Sequence, residues 1–554
     1  MAAAEAARTL GADAADVSPA ARSGPSEPES LWAVFARQAL ARPGADAVAE
    51  ERASISYAEL AARATALRDL LQRIGAHQTP VCLLVRSGIA YIASVLAAAA
   101  ARGIFAPLDP DWPESRALAA LQLTGPSTLV TTPDLIDQAR TLNSKLEKPA
   151  CLIVIEERGA ILSVEPDASA APEAAAGLRD GDWTDDSLYL VYTSGSTGAP
   201  NAVEGAHRSL AHFIAWQART YAVGSTCRVA QLAPTTFDVS LRDIFLPLYT
   251  GGCVVVPDRS TRRNPIRLRQ WLSDSGVNLI HGVPSVFKLL VEEFDAGSES
   301  PFAAVEKVFF SGERLYVRDA ERFRRALPAH AVVANFYGPS ECTLIKTHFR
   351  LPPPGALDGL EVVPIGWPID GCRVRVADGA EACAEGETGE IRLRSDFLAK
   401  GYFRNPDLTA QRFSTTDDDG SPTREYRTGD LGYRDSAGCL HFVGRRDDQV
   451  KINGNRVELG EVEHWVRGIA GVTGAAVLMA SAPGREPFLA CAFTASRDLA
   501  AAEVRSALAE RLPVYMVPAR YLALEQLPLL ANGKVDRKGL AQRLGAGEAG
   551  RSNS

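Results

Sequence analysis

The sequence predicts an α/β protein with a large N-terminal domain of βαβ sheets flanked by helices, a small β-barrel-like element, and a small α+β C-terminal domain. Three observations carry this. Short apolar runs bounded by turn formers alternate with helical periodicity up to AVVANFYGPSE, the pattern of parallel strands joined by crossover helices. Beyond residue 360 the pattern changes to short strands with glycine turns, as in TGEIRLRS, GYRDSAGCLHFVG and DQVKING. Roughly the last hundred residues return to helix and strand. At 554 residues the chain is long enough for two or more domains and a large core.

Taken in order, residues 1–29 are rich in Ala, Ser, Pro and acidic residues and are expected to be a disordered tail. LWAVFARQAL, from Leu31, has helical spacing. SISYAELAARATALRDLLQRIG gives a short strand, a turn and an amphipathic helix with leucines at helical intervals. VCLLVRSGIAYIASVLAAAAARGIFAPLDPDWP alternates strand, helix and strand, then ends in a proline-punctuated turn; STLVTTP and CLIVIEE are further short strands. An Ala/Pro/Asp-rich stretch at 166–186 reads as a surface loop before the buried strand that starts at Ser187. A second βα series follows, through CRVAQLAP, TTFDVSLRDIFLPLYTGG, GCVVVPD, PIRLRQWLSDSG, VNLIHGVPSVFKLLVEEF and KVFFSGERL. The polar cluster GRRDDQ places a boundary near 446. The expected parts are a tail at 1–29, a core at 30–446, a C-terminal domain at 447–545 and a tail at 546–554.

Composition excludes several classes. A hydrophobic content of 46% with 23% charged residues is that of an ordinary globular protein. A net charge of −8 argues against a nucleic-acid-binding surface. Nine cysteines are scattered with no CxxC pair, which fits reduced thiols in a cytoplasmic protein rather than disulfides or a zinc site. The longest apolar stretch, Tyr91 to Ala101, is too short to span a bilayer, and no basic region followed by an apolar core opens the chain. The expectation is a cytoplasmic enzyme without nucleic-acid or membrane partners.

Chemistry gathers in six stretches. After the strand LYLVY, the residues Thr193, Ser194, Gly195, Ser196, Thr197, Gly198 and Ala199 carry almost no side chain, so backbone N–H groups and hydroxyls can close around a phosphate. The lysine-bearing GxxxxGK[ST] loop is absent, and such a run is as often a plain surface loop. FDVS places Asp238 at the start of an apolar helix, where a carboxylate is more often a cap. NFYGPSE sets an aromatic, a tight turn and Glu341 close together, suited to stacking a base and holding a cation. YRTGD ends in Asp430, able to accept both ribose hydroxyls. GRRDDQVKINGNRVELGEVE offers phosphate-binding arginines and a charged hinge, and LPLLANGKVDRKGL presents Lys534 in a glycine turn. Singly, RTGD or NGK is usually just a turn.

Together, in this order, these stretches resemble the adenylate-forming superfamily, most closely the amino-acid-activating adenylation domains of nonribosomal peptide synthetases. The similarity runs over roughly residues 30–545 and includes SYAEL, GIFAPLDPDWP, GETGEIRLRSDFLAKGYFRNPDLT and LPVYMVP as well. The resemblance implies a two-step reaction. A carboxylate attacks the α-phosphorus of ATP, pyrophosphate leaves, and a thiol then captures the acyl-adenylate. It implies that Thr193–Gly198 hold the β/γ-phosphates and that Tyr337 stacks on adenine, with Asn335 at its amino edge and Gly312 near its other face. Ser340 stands where threonine is usual and keeps the hydroxyl. Glu341 would bind Mg²⁺, Asp430 the ribose, and Arg445 ribose or phosphate. Lys534 would bridge the substrate carboxylate and the phosphate oxygens. The small C-terminal domain would be mobile, rotating at Asp447 to exchange Lys534 for the Lys451 side. One departure matters: the loop reads Pro200, Asn201, Ala202 where the family has Pro-Lys-Gly.

In this family Asp238 pairs with the α-ammonium of an amino acid, and activators of aryl or fatty acids lack it. The implied pocket is Phe237, Asp238, Val239, Arg242, His281, Phe309, Ser311, Phe336, Leu344 and Ile345, with Lys534 on the carboxylate. Val239, His281 and Ser311 resemble serine-activating linings. Arg242 sits where a large aromatic is common, and a buried guanidinium needs a partner: an acidic substrate side chain, Asp243, or Asp238 itself. The expected substrate is a small polar or acidic amino acid. With no Gly-Gly-x-Ser carrier site after NGKVDRKGL, a free-standing enzyme serving a separate carrier protein is expected. Some relatives also need an MbtH-like protein, which the sequence leaves open. The rivals are an acyl- or aryl-CoA ligase of the same fold and a catalytically silent binding relative.

Overall fold

A computed structural model describes residues 28–166, 183–193, 200–292, 300, 302–416, 422–446, 449–452, 454–482, 486–528 and 535–546. These fall into two compact units. The first draws on residues 1–110, 124–191 and 202–446, and the second on 111–123, 192–201 and 447–554. The two short inserted segments lie in the stretch that sequence partition assigned to the core.

The first unit is built on two mainly parallel sheets. One has nine strands, in the order Trp367–Pro368, Thr347–Arg350, Val332–Tyr337, Lys307–Phe310, Leu279–Gly282, Arg228–Ala230, Cys253–Val256, Asp46–Glu50 and Ser54–Ser56. The six strands from Val332–Tyr337 to Asp46–Glu50 pair in parallel, and antiparallel strands close both edges. The other sheet has eight strands, with Ser187–Thr193 beside Ile104–Pro107, then Pro80–Leu84, Thr128–Thr131 and Cys151–Ile155. These central strands read as apolar runs because helices cover both faces. The helix Ile89–Ala100 is buried almost all round and shares one core with Val81 and Leu83 of one sheet and Val48 and Val254 of the other.

The helix that matters for the site, Val239–Thr250, starts at Asp238 and stops at Gly251, which takes φ +85 as a left-handed cap. A six-stranded antiparallel sheet completes this unit. Its long strand Thr423–Arg434 pairs with Gly389–Ser395, Phe413–Thr416 and Leu440–Arg445, and the last pairing sets Asp430 opposite Arg445.

The second unit has a hairpin, Gln449–Ile452 with Asn455–Glu458, and a three-stranded sheet in the order Val472–Ala480, Phe488–Ala495, Arg520–Ala523. Helices Leu459–Arg467, Ala501–Ala509 and Arg537–Ala546 pack on that sheet. Its three chain segments are stitched by side chains. Arg116 donates to Glu461 at 2.9 Å, with both side chains buried, and the Arg116 guanidinium lies 5.4 Å from the centre of the Trp112 ring. Trp112 in turn meets Tyr192 edge-on at 5.7 Å.

Candidate active site

Parallel α/β sheets place ligands at the carboxyl ends of their strands. In the nine-stranded sheet those ends deliver His281, Ser311 with Gly312, and the turn after Tyr337, while the connection after Arg228–Ala230 delivers Asp238. The geometry there falls into two groups.

The first group centres on Asp430. Its Oδ2 accepts from the Tyr337 hydroxyl at 2.6 Å and its Oδ1 from Arg445 Nη1 at 2.6 Å, so the carboxylate is fixed from two sides. Burial, then the Asp430 charge, pushes the Tyr337 phenol well above its ordinary range, so it stays a donor. The Asn335 amide donates to the Pro364 carbonyl at 2.9 Å, and Gly312 sits at φ +89, where a side chain is strained. Glu341, fully buried, accepts the Tyr402 hydroxyl on Oε1 at 2.7 Å. The turn holding it is sharply bent: Thr343 and Leu344 both take positive φ, 58 and 65. Non-glycine residues held there store strain, a frequent mark of functional sites. Gly338 permits the bend, since a Cβ at that position would lie 2.0 Å from the Leu344 carbonyl oxygen.

The second group is a buried cluster of polar side chains among aromatic and aliphatic ones. Asp238 Oδ1 accepts the Val239 N–H at 2.8 Å. Burial raises its carboxyl, opposed by the Ser340 hydroxyl, the Val239 N–H and the Arg242 charge. Arg242 is 3% exposed and donates from Nη2 to Ser311 Oγ at 2.8 Å, while its Nε and Nη1 make no hydrogen bond. Neither Asp238 nor Asp243 stands within ion-pair distance of it among the described residues. Asp243 instead faces His281, Oδ1 to Nδ1 at 2.8 Å, and its Oδ2 accepts from Ala233 N–H at 3.4 Å. Burial pushes the Asp243 carboxyl up to about 7. The other His281 nitrogen lies 2.7 Å from the Gln217 amide nitrogen, and burial, then Arg242, holds the imidazole well below its usual range. Apolar side chains surround these groups. Phe309 stacks on Phe336 at 4.8 Å, Tyr221 meets Phe309 edge-on at 4.6 Å, and Leu344 and Ile345 are buried.

The family described as AMP-binding enzyme matches residues 35–403. The chain belongs to it. The chain is 33% identical over 558 residues to phosphinothricin tripeptide synthetase PhsB of Streptomyces viridochromogenes, covering 98% of this chain and 44% of that protein. It is 32% identical over 516 residues to tyrocidine synthase 3 of Brevibacillus parabrevis, covering 93% and 8%. The chain thus spans less than half the length of these two synthetases. Zwittermicin A synthase ZmaJ of Bacillus cereus is 29% identical over 513 residues, covering 92% of this chain and 94% of that protein. Among solved structures, IdnL1 superposes with a TM-score of 0.75 at 29% identity, covering 91% and 100%. The Vibrio cholerae adenylation domain AlmE, solved with glycyl-adenosine-5'-phosphate, gives 0.79 at 24% identity, covering 93% and 97%, and shares the fold.

In this AMP-binding enzyme, Tyr337, Asp430 and Arg445 are joined by hydrogen bonds, and Arg242 is joined to Ser311. Phe237 and Val239 are half-buried at the helix start, Thr193 is buried at the end of its strand, and Lys451 is exposed on its hairpin. Ser194, Gly195, Ser196, Thr197, Gly198, Asp447 and Lys534 lie outside the described residues. Asn201, in place of the loop lysine, begins the strand Asn201–Ala206. Three residues went unassigned in sequence: Gln217 and Tyr221, in the helix His207–Thr220 and just after it, and Tyr402, inside a quoted motif but given no role. Asp243, weighed as a partner for Arg242, holds His281 instead. A further Asp435–Cys439–His441 cluster is the hydrogen-bonded turn of a hairpin, Asp435 accepting from the Ala437 and Cys439 N–H groups and meeting His441 Nε2 at 2.9 Å.

Proposed function

We propose that the protein activates an amino acid, small and polar or acidic, with ATP, and passes it to the phosphopantetheine thiol of a carrier protein. The observation that carries this reading is Asp238. It is a buried carboxylate at the start of the helix Val239–Thr250 whose one described hydrogen bond comes from the Val239 N–H, an arrangement suited to an α-ammonium group. A carboxylic acid without an amine leaves that carboxylate uncompensated.

The residues fit a nucleotide. A doubly held Asp430 carboxylate suits a ribose diol, and the Tyr337 ring beside it offers a face for adenine. A buried Glu341 fixed by Tyr402 suits a hard cation through oxygen, and Mg²⁺ there would offset phosphate charge. The loop Thr193–Gly198 would enclose the phosphates and Lys534 would hold the reacting carboxylate. A substrate carboxylate oxygen attacks the α-phosphorus and pyrophosphate leaves. The carrier thiolate then attacks the acyl carbon and AMP leaves. Asp447 and Lys451 are assigned to the rearrangement between these steps. The solved neighbours include PA1221, an NRPS protein containing adenylation and PCP domains, at 25% identity and TM-score 0.76, whose pairing with a carrier motivates that partner here.

Amino-acid-dependent ATP–pyrophosphate exchange, run with and without an MbtH-like protein, tests the reading. Asp238→Ala is expected to lower kcat/KM for the amino acid by about 100-fold, the scale of an unpaired charge in a buried site, with ATP affinity kept. Exchange driven by acyl or aryl acids, unaffected by that substitution, would transfer the protein to the CoA-ligase reading.

A further inference from the structure

We propose that the substrate carries an anionic side chain, a carboxylate on an α-amino acid, and that Arg242 with Ser311 is the group that reads it; this rests on amino-acid activation as read above. A guanidinium keeps its charge in proteins and holds five N–H donors in a rigid fork. Here it is 3% exposed, and only Nη2 has a partner, leaving Nε and Nη1 buried without hydrogen bonds. Buried charged donors left without hydrogen bonds cost several kcal/mol.

The protein meets that cost only in part: the Asp243 and Asp238 charges act on the guanidinium, but neither carboxylate bonds to it. Asp243, the adjacent acid, directs one oxygen to His281 and the other to a backbone N–H. Asp238 accepts the Val239 N–H. Asp238 and Arg242 are four residues apart at the start of one helix, which sets their side chains on the same face, about 5–6 Å between Cβ atoms. Two opposite charges so placed, not bonded to each other, match the two ends of an acidic amino acid: ammonium to Asp238, side-chain carboxylate to Arg242. The Ser311 oxygen accepts from Arg242, so its own proton points elsewhere and is a second donor for the same carboxylate. Both His281 nitrogens are taken by Asp243 and Gln217, which removes it as a reader of a substrate hydroxyl. Phe309, Phe336, Leu344 and Ile345 supply the low-dielectric wall that strengthens such a pair.

Acid and amide of one length make the sharpest comparison, because an amide NH₂ set against guanidinium donors cannot be satisfied. Pyrophosphate exchange is measured with L-aspartate and L-glutamate, their amides asparagine and glutamine, and serine and alanine. One of the acids is expected to exceed its amide, and the neutral amino acids, by about 100-fold or more in kcat/KM. Arg242→Gln is expected to erase that preference, and Arg242→Lys to restore part of it. A neutral amino acid as best substrate overturns the proposal while leaving amino-acid activation standing. Exchange with none of the panel or of the other proteinogenic amino acids removes the activation reading and this proposal with it. The acid-to-amide ratio of the unsubstituted protein decides the matter even if the Arg242 variants fail to fold, which their circular dichroism and melting reveal.

Discussion

The Tyr402 hydroxyl reaches Glu341 across 61 residues of sequence, and both side chains are buried. A hydrogen bond to a charged group is worth about 1.5–3 kcal/mol. Tyr402→Phe is therefore expected to raise the Mg²⁺ concentration needed for half-maximal exchange by about 10-fold, with the amino-acid KM little changed; an unaltered Mg²⁺ titration would detach Tyr402 from the metal side. A second residue-scale prediction concerns His348, whose Nδ1 lies 2.8 Å from the Tyr221 hydroxyl. Burial, opposed by Asp370, holds its imidazole down at about 4 against 6.5. Below pH 6.5 the unfolded chain takes up a proton that the folded one refuses. This contribution is thus whole above about 6.5 and drains away as pH falls toward about 4, at up to about 1.4 kcal/mol per pH unit. His348→Gln should flatten that limb, and urea midpoints at several pH values in both proteins check it; parallel profiles would sink the assignment. Motif reading reached Tyr337, Asp430 and Glu341, because their chemistry is local to short stretches. It did not reach Tyr402 or Gln217, whose roles exist only through contacts distant in sequence.

At the scale of elements, the decisive piece is the turn from Tyr337 into the 3-10 turn Ser340–Cys342. Gly338 has no room for a methyl: the added Cβ would sit 2.8 Å from Ile345 Cα as well as against the Leu344 carbonyl. Both neighbours are backbone, so they cannot swing aside. Gly338→Ala is expected to abolish exchange and lower stability by about 2–4 kcal/mol, in the range of overpacking combined with lost turn geometry, with far-UV circular dichroism retained. A fully active variant would show that the turn relaxes freely. The strands and helices themselves were readable from periodicity. The positive φ of Thr343 and Leu344 was not, because neither residue type favours it and only the surrounding packing imposes it.

At the scale of the whole molecule, the second unit is discontinuous in sequence, and Arg116 and Glu461 are 345 residues apart. Removing one member of a buried pair strands the other and typically costs about 3–5 kcal/mol. Arg116→Ala is expected to lower the unfolding transition of this unit by that amount, read by calorimetry or limited proteolysis. A change under about 1 kcal/mol would mean the pair behaves like a surface bridge. No helix among the described residues is long and apolar enough to cross a membrane.

The sequence by itself determined the α/β class, the order of strands and helices, and the family. These depend on periodicity, turn chemistry and short motifs, all of which are local. Tertiary structure alone decided the partners of the buried charges. From sequence, Arg242 had three possible counterparts, and the fold rejects two by turning Asp243 to His281 and keeping Asp238 out of ion-pair reach. The distance between two charges depends on backbone paths that meet from different strands, and no pattern within either path encodes it.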